Sequence, residues 1–218
     1  VKLLVGFAAG GQSDILARLL ADQLKDKIDR PVVVENKTGA GGRIAVEAAK
    51  SAAADGTTLV VANIAHMGLA PLIYKDLPYH PLRDFTPIIN AVDYQLALAT
   101  GKQSGAKDMP GLLGWLKANP GKASSGHPGN GSLTHLYGLV FADGSAHAMT
   151  QVPYRGGSQI VGALTQGEVT MGWGGIADFI EQHRSDALRI VAVSGAKRSP
   201  QLPDVPTFTE VGLPANEP

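Results

Sequence analysis

Three glycine-rich stretches of this sequence carry residue types that can bind an anion without catalysing a reaction. Each runs from glycines through hydroxyl or amide residues into a helical pattern, and they are Gly10-Gly11-Gln12-Ser13, Gly129-Asn130-Gly131-Ser132-Leu133-Thr134 and Arg155-Gly156-Gly157-Ser158. The first N–H groups of a helix have no partner within it, and together with the helix dipole they attract carboxylate or phosphate. A single stretch of this kind is more often a tight turn or a cap, but three of them favour a binding site.

Motifs for enzymatic chemistry are absent from the sequence. It has no P-loop, no G-x-S-x-G elbow, no H-x-x-x-H spacing among its six histidines and no cysteine. The nearest approach to a dinucleotide fingerprint, residues 39–44, has Ile44 where the third glycine belongs. The sequence therefore predicts no catalytic residue, no metal site and no cofactor. A transferase-like enzyme acting on an anionic metabolite, and a truncated interaction module, stay open as alternatives.

Composition places the chain among ordinary folded proteins. Of its 218 residues, 44% are hydrophobic and 17% are charged, and the 19 basic residues balance the 19 acidic ones. A net charge of zero gives no electrostatic footprint for nucleic acid. No apolar run reaches the ~18 residues of a membrane span, so direct membrane insertion is not expected. Val1 opens directly on a strand pattern, which is also the trace that a cleaved secretory leader would leave.

Strand-like and helix-like segments alternate along the chain, which predicts two α/β lobes. A βαβαβ rhythm over residues 1–62 and further βα units over 100–190 are typical of parallel sheets with right-handed crossovers. Ser13 is the expected N-cap of the first helix. We expect residues 1–97 and 195–218 to form the first lobe and 98–194 the second, with a hinge near 96–100 and 193–195. Two crossings predict a ligand cleft between the lobes.

A series of short motifs runs in order through nearly the whole chain. They are Phe7-x-x-Gly10-Gly11-x-x-Asp14-x-x-Ala17-Arg18, Val33-Val34-Glu35-Asn36-x-x-Gly39-Ala40-Gly41-Gly42, Leu77-Pro78-Tyr79-x-Pro81-x-x-Asp84-Phe85, Gly129-x-Gly131-Ser132-x-x-His135-Leu136, Val152-Pro153-Tyr154-Arg155-Gly156 and Leu202-Pro203-Asp204-Val205-Pro206-Thr207. No single motif is decisive. In this order they resemble the Bug (TctC-type) solute receptors of tripartite tricarboxylate transporters.

The resemblance implies a fold, a place and a function. The fold is a two-lobed type II periplasmic binding protein of Venus-flytrap form, in which each lobe is a mostly parallel sheet flanked by helices. Such receptors work as monomers in the periplasm of Gram-negative bacteria and are not enzymes. They capture a small carboxylate (a dicarboxylate, tricarboxylate, amino acid or aromatic acid) and deliver it to the membrane subunits of the transporter. Backbone amides and ordered water hold the ligand carboxylate.

Two departures from the family pattern stand out. Thr170 occupies a position where the family commonly has aspartate, near the end of a second-lobe strand, and this exchange is expected to alter the pocket. Family members also continue for several dozen residues beyond the position of Pro218. The first lobe is therefore expected to lack its usual C-terminal elements.

The candidate ligand-binding residues follow the carboxyl ends of predicted strands, where α/β proteins place their sites. Phe7 supplies apolar surface, Asn63 and His66 follow the third strand, and Asp178 suits an amino or hydroxyl group of the ligand. The full set is Phe7, Gln12, Ser13, Asn63, His66, Gly131, Ser132, Thr134, Gly156 and Asp178. Asp14 is expected to complement the dipole of the first helix, and Arg18 to face solvent or pair with a carboxylate.

Overall fold

The computed structural model describes residues 1–145 and 147–213, which contain eight strands, seven α-helices and three short 3₁₀- or π-helical segments, Ala40–Gly42, Ala65–Leu69 and Thr209–Val211. The strands are β1 (Lys2–Val5), β2 (Val33–Asn36), β3 (Thr58–Val61), β4 (Leu96–Thr100), β5 (Ser124–His127), β6 (Thr150–Pro153), β7 (Met171–Gly175) and β8 (Arg189–Val193). The helices are α1 (Gln12–Ile28), α2 (Arg43–Lys50), α3 (Ala70–Ile73), α4 (Met109–Ala118), α5 (Leu133–Ser145), α6 (Gly157–Gln166) and α7 (Ile176–Arg184). The predicted βαβαβ rhythm of residues 1–62 is present as β1, α1, β2, α2 and β3.

The first unit comprises residues 1–91 together with 129–133. Its sheet has the order β2-β1-β3, and both pairs are parallel, with Leu3 opposite Val34 on one side and Leu59 on the other. Strand β1 lies in the centre because its apolar run, residues 3–5, is buried on both faces of the sheet. The carboxyl ends of all three strands therefore point the same way, and the loops that follow them gather at one edge.

The second unit comprises residues 92–128 and 134–218, of which 214–218 lie outside the described residues. Its sheet has the order β6-β5-β7-β4-β8. Strand β5 is parallel to β6 and β7, whereas β4 is antiparallel to both β7 and β8. The segment 74–95, which precedes β4, contains no regular helix or strand, so no helical crossover leads into this strand.

Residues 195–213 pack with the second unit, although the sequence placed 195–218 in the first lobe. Thr207 forms a parallel bridge with Val193 of β8, and the Phe208 N–H donates to the Val193 carbonyl at 2.7 Å. The Phe208 ring is 1% exposed and lies 5.7 Å from Trp173 and 5.2 Å from Tyr137, centroid to centroid. A large apolar side chain packs where other aromatic rings are close enough to bury it. The sequence does not reveal which rings the fold brings together.

The two predicted hinge segments lie beside each other in the second unit. Residues 96–100 form β4, and its antiparallel partner β8 ends at Val193. Gln95 donates its side-chain amide to the Ser194 carbonyl at 2.6 Å, and the Ser194 Oγ accepts from the Leu96 N–H at 2.8 Å. Their role as a hinge stays a prediction. None of the helices in the described part of the chain has both the length and the apolar character to span a membrane.

Replacing Phe208 with alanine is expected to destabilise the second unit by about 3–5 kcal/mol, because it leaves a cavity beside Trp173. Urea unfolding followed by circular dichroism measures this loss. The matched control is Leu82→Ala, since Leu82 is 88% exposed and its truncation should change little. Equal unfolding midpoints for Phe208→Ala and the parent would show that the 195–213 segment does not stabilise this unit.

Candidate functional site

The loop between β1 and α1 is held by the carboxylate of Asp14, which is 2% exposed. It accepts four hydrogen bonds, from the Gly10 N–H at 2.9 Å, from Arg18 Nε and Nη2 at 2.8 and 3.0 Å, and from Asn36 Nδ2 at 2.9 Å. Asn36 Nδ2 also donates to the Phe7 carbonyl at 3.0 Å. Two points of the loop, at Phe7 and Gly10, are thereby fixed to the start of the helix and the end of β2.

These contacts favour the charged form of Asp14. Burial acts to raise the pKa of the Asp14 carboxyl, but the hydrogen bonds from Arg18, Gly10 and Asn36 outweigh it and hold the pKa below its ordinary value. The expected pairing of Arg18 with a carboxylate is confirmed. The Arg18 guanidinium is therefore engaged with a carboxylate of its own helix.

Helix α1 begins two residues earlier than predicted. Its N-cap is Gly11, so Gln12 and Ser13 occupy the first turn and Ser13 is not the cap. A glycine N-cap has no side chain to occupy the first N–H groups of the helix. Helix α4 differs, because the side chain of its N-cap Asp108 accepts from the Gly111 N–H. The N-cap of α1 therefore makes no side-chain hydrogen bond to these groups.

His66 lies at the centre of the first unit's loops and is 1% exposed. Its Nδ1 accepts from the Asn63 N–H at 3.2 Å, and its Nε2 lies 3.0 Å from the Gly41 carbonyl oxygen. The ring stacks on Phe7 at 5.7 Å between centroids. The three predicted site residues Phe7, Asn63 and His66 therefore come together, but the polar atoms of the imidazole face the backbone of this unit.

The segment Gly129–Leu133, which contains two predicted site residues, packs within the first unit. The Tyr74 hydroxyl lies against the Cα of Gly131, and the Arg43 guanidinium carbon lies 3.7 Å above the centre of the Tyr74 ring. Ser132 is 3% exposed. Neither Arg43, which follows the glycines of residues 39–42, nor Tyr74 was among the predicted site residues.

In the second unit, α6 also begins after a glycine N-cap, Gly156, with Gly157 as its first residue. Asp178 lies in the first turn of α7, where its carboxylate accepts from the Gly175 N–H at 2.9 Å and packs against the Cα of Gly157. This capping bond gives Asp178 a structural task beside the start of α6. Thr134, in the first turn of α5, is buried.

Two histidines flank the turn into α5. The rings of His127, at the end of β5, and His135 lie 4.3 Å apart between centroids. Burial lowers the pKa of the His135 imidazole, which favours its neutral form. In the described residues no group of three or more histidine, aspartate or glutamate side chains could hold a metal ion.

Thr170 lies away from the strand-to-helix loops of its unit, and its effect on the pocket stays a prediction. It immediately precedes β7 and is fully buried. Its Oγ1 donates to Gln103 Oε1 at 2.6 Å and accepts from the Ser124 N–H at 3.1 Å. Ser124 is the first residue of the parallel strand β5. Thr170 therefore joins the amino ends of two strands, opposite the edge where the loops lie.

The ten candidate residues divide between the two units. Phe7, Gln12, Ser13, Asn63, His66, Gly131 and Ser132 lie in the first, and Thr134, Gly156 and Asp178 in the second. As ligand contacts they stay predictions. The residues that sequence reasoning missed are those that hold the loops, above all Asn36 and Tyr79. The four-residue spacing of Asp14 and Arg18 signals a helical ion pair, but Asn36 carries no comparable signal.

Comparison with known proteins identifies relatives over almost the whole chain. A family model described as the tripartite tricarboxylate transporter family receptor (TctC) matches residues 16–217. The protein BugT of Bordetella pertussis is 33% identical over 215 residues, which cover 98% of this chain and 66% of BugT. The chain spans between 61% and 66% of the length of the curated relatives it matches.

Solved structures show the same fold. MatC of Rhodopseudomonas palustris with bound malate is 30% identical, with a TM-score of 0.91, over 100% of this chain and 74% of MatC. An R. palustris protein with adipate is 29% identical, with a TM-score of 0.92, over 100% of this chain and 73% of its own. The periplasmic binding protein BugD is 30% identical, with a TM-score of 0.92, over 100% of this chain and 73% of BugD. The predicted periplasmic-binding-protein fold is therefore confirmed.

Replacing Asp14 with asparagine is expected to lower the free energy of unfolding by about 2–3 kcal/mol, because the amide places an N–H group against two of its four donors. Chemical denaturation measures the change, and amide hydrogen exchange at Gly10 locates it. Asp22→Asn on the same helix is the control, since the Asp22–Lys25 pair is exposed and should contribute little. Unchanged protection of Gly10 in Asp14→Asn would contradict the role assigned to this carboxylate.

Proposed function

We propose, since the chain belongs to the tripartite tricarboxylate transporter receptor family, that this protein is an extracytoplasmic receptor for a small carboxylate. The proteins of this family are solute-binding receptors and not enzymes. The ligand binds at the glycine-rich starts of helices, where backbone N–H groups and the hydroxyl groups of Ser13, Ser132 and Thr134 donate to its carboxylate oxygens. We expect the ligand to bind in the predicted cleft between the two lobes.

The observation that carries this proposal is the contrast between helix starts. Helices α1 and α6 have glycine N-caps without a side-chain cap hydrogen bond, as α2 and α7 do, whereas the Asp108 side chain at the N-cap of α4 accepts from the Gly111 N–H. Capping by a side chain is the common solution for a helix start that has only to be stable. Glycine caps place no side chain on the first N–H groups of α1 in the first unit and of α6 in the second, and both helix starts lie in predicted anion-binding stretches.

The ligand class follows from the relatives with bound ligands and from the chemistry of the loops. Malate and adipate, found with the two R. palustris proteins, are both dicarboxylates. Helix starts recognise a carboxylate group and not the chain behind it, so tricarboxylates, amino acids and aromatic acids belong to the same class. Dicarboxylates are the first candidates, because both of these relatives were found with one.

Delivery to the membrane subunits of a tripartite transporter completes the proposed function. The support is the family itself, whose members are the receptors of these systems. We propose that the protein acts as a monomer in the periplasm of a Gram-negative bacterium, in keeping with the Bordetella relatives. The alternative of a transferase on an anionic metabolite has no support in the family.

Binding is tested by a thermal-shift screen against malate, adipate, citrate, glutamate and benzoate. A ligand present at 100 times its Kd should raise the free energy of unfolding by about 2.7 kcal/mol. Adipamide is the matched control, because it keeps the length of adipate and removes both charges. A protein that is stabilised by none of the acids, or that converts one of them to a product, would not be such a receptor.

Replacing Ser132 with leucine is expected to abolish the ligand-induced shift, because a larger side chain at this buried position displaces the loop that holds the carboxylate. Ser132→Ala, which removes only the hydroxyl, should weaken binding by about tenfold. Ser51→Leu, at an exposed position after α2, is the control and should bind as the parent does. An undiminished shift in folded Ser132→Leu would remove this loop from the site.

A further inference from the structure

His66 is a buried titratable side chain for which carboxylate capture itself gives no task. The hydrogen bonds of its ring define one tautomer. Because the Asn63 N–H donates to Nδ1, that nitrogen carries no proton, and the proton of the neutral ring lies on Nε2. Nε2 can then donate to the Gly41 carbonyl oxygen, 3.0 Å away. Both polar atoms of the ring are used by the backbone, so neither remains for a ligand.

The ring also fills a space that no other side chain could share. One face stacks on Phe7 of the β1–α1 loop. Gly42 lies so close to the ring that a Cβ there would overlap Nε2, and its φ of +93° is one that glycine adopts readily. The backbone of His66 is itself held, since the Tyr79 hydroxyl donates to its carbonyl at 2.8 Å. His66 therefore joins the loops that follow all three strands of this unit.

The contact extends to the segment Gly129–Leu133 through Gly41. A Cβ on Gly41 would lie 2.7 Å from the Asn130 carbonyl oxygen and 3.7 Å from the Ser132 nitrogen. Moving the Gly41 carbonyl would therefore move the backbone against which Asn130 and Ser132 pack. Through Phe7 on one side and Gly41 on the other, a single imidazole sets the position of two of the proposed binding loops.

We propose that His66 is a positioning residue for the binding loops, active only as the neutral Nε2–H tautomer, and not a ligand contact. The inference rests on the proposed function, because it assigns a task within the same site. A proton added at Nδ1 turns an acceptor into a donor that faces the Asn63 N–H, and the two donors repel. Acidification is therefore expected to loosen the loops and weaken carboxylate binding.

The surroundings of the ring oppose protonation. Burial lowers the pKa of His66, the nearby cation Arg43 on α2 lowers it further, and the Gly41 carbonyl acts in the opposite direction. The other titratable group in contact with His66 is Tyr79. Burial raises the pKa of Tyr79, so its hydroxyl is neutral and donates to the His66 carbonyl. Because the folded-state pKa lies below the ordinary value of 6.5, the stability contributed by neutral His66 is complete above that pH. It is lost as the pH falls towards the folded-state pKa.

Three substitutions separate the two hydrogen bonds of the ring. Glutamine can place an N–H near the position of Nε2, asparagine an oxygen near that of Nδ1, and alanine neither. His66→Ala should weaken binding of malate or adipate, whichever the parent binds, by about tenfold or more in calorimetry. His66→Gln should recover most of the loss. His80→Gln, at an exposed position of the same unit, is the control and should bind as the parent does.

A second measurement does not need a ligand. Hydrogen exchange of the Asn63 amide should accelerate in His66→Ala and His66→Gln and stay slow in His66→Asn, because only asparagine keeps an acceptor. The imidazole ¹⁵N shifts of the parent should report Nε2–H. An Nδ1–H tautomer, or unchanged Asn63 exchange in His66→Ala, would overturn the proposal. A parent that binds no acid but shows these signatures would instead count against the proposed function alone.

The pH profile separates positioning from mere packing. Between about pH 7.5 and 4.5 the parent should lose more affinity than His66→Gln, and the ratio of their affinities isolates His66. Protonation of the ligand and of His135 and His183, whose pKa values burial also lowers, is common to both proteins and cancels. Parallel profiles for the two proteins, or full affinity in folded His66→Ala, would refute a positioning role.

Discussion

A glycine-rich loop can offer its backbone N–H groups to an anion only if other residues hold it in one conformation. Glycine loses more conformational freedom on folding than any other residue, so such loops are disordered unless they are anchored. In this protein the anchors are polar side chains from neighbouring segments. Asp14 and Asn36 hold the β1–α1 loop, His66 holds the loop at Gly41, and Tyr74 packs on Gly131.

The same arrangement determines how charge is used. The Arg18 guanidinium pairs with the buried Asp14 carboxylate, and the Arg43 guanidinium lies on the Tyr74 ring, so both are engaged within the first unit. In the proposed site, an anion at the helix starts would meet oriented N–H dipoles, which need no counter-ion and no reorganisation. This economy suits a receptor that must release its ligand, since a desolvated ion pair would be costly to separate.

The two units are stabilised by different kinds of contact. In the first, the loops that follow the three parallel strands all lie at one edge of the sheet. Side chains of one loop can therefore reach the backbone of the next. In the second, antiparallel β4 lies between β7 and β8, and residues 195–213 add an aromatic side chain to the cluster around Trp173. Stability in that unit comes from apolar burial, so its glycine-capped helix α6 starts from a rigid base.

What the sequence determined by itself was local. Apolar periodicity and glycine punctuation predicted the alternation of strands and helices and the glycine-rich stretches before α1, α5 and α6, because each signal lies within a few residues of what it specifies. Tertiary structure decided what joins distant positions. Asn36 meets Asp14 across 22 residues and His66 meets Gly41 across 25, and no local pattern records either partner. The direction of β4 and the placement of 195–213 were settled in the same way, because strand pairing and aromatic packing depend on the partners that the fold brings within reach.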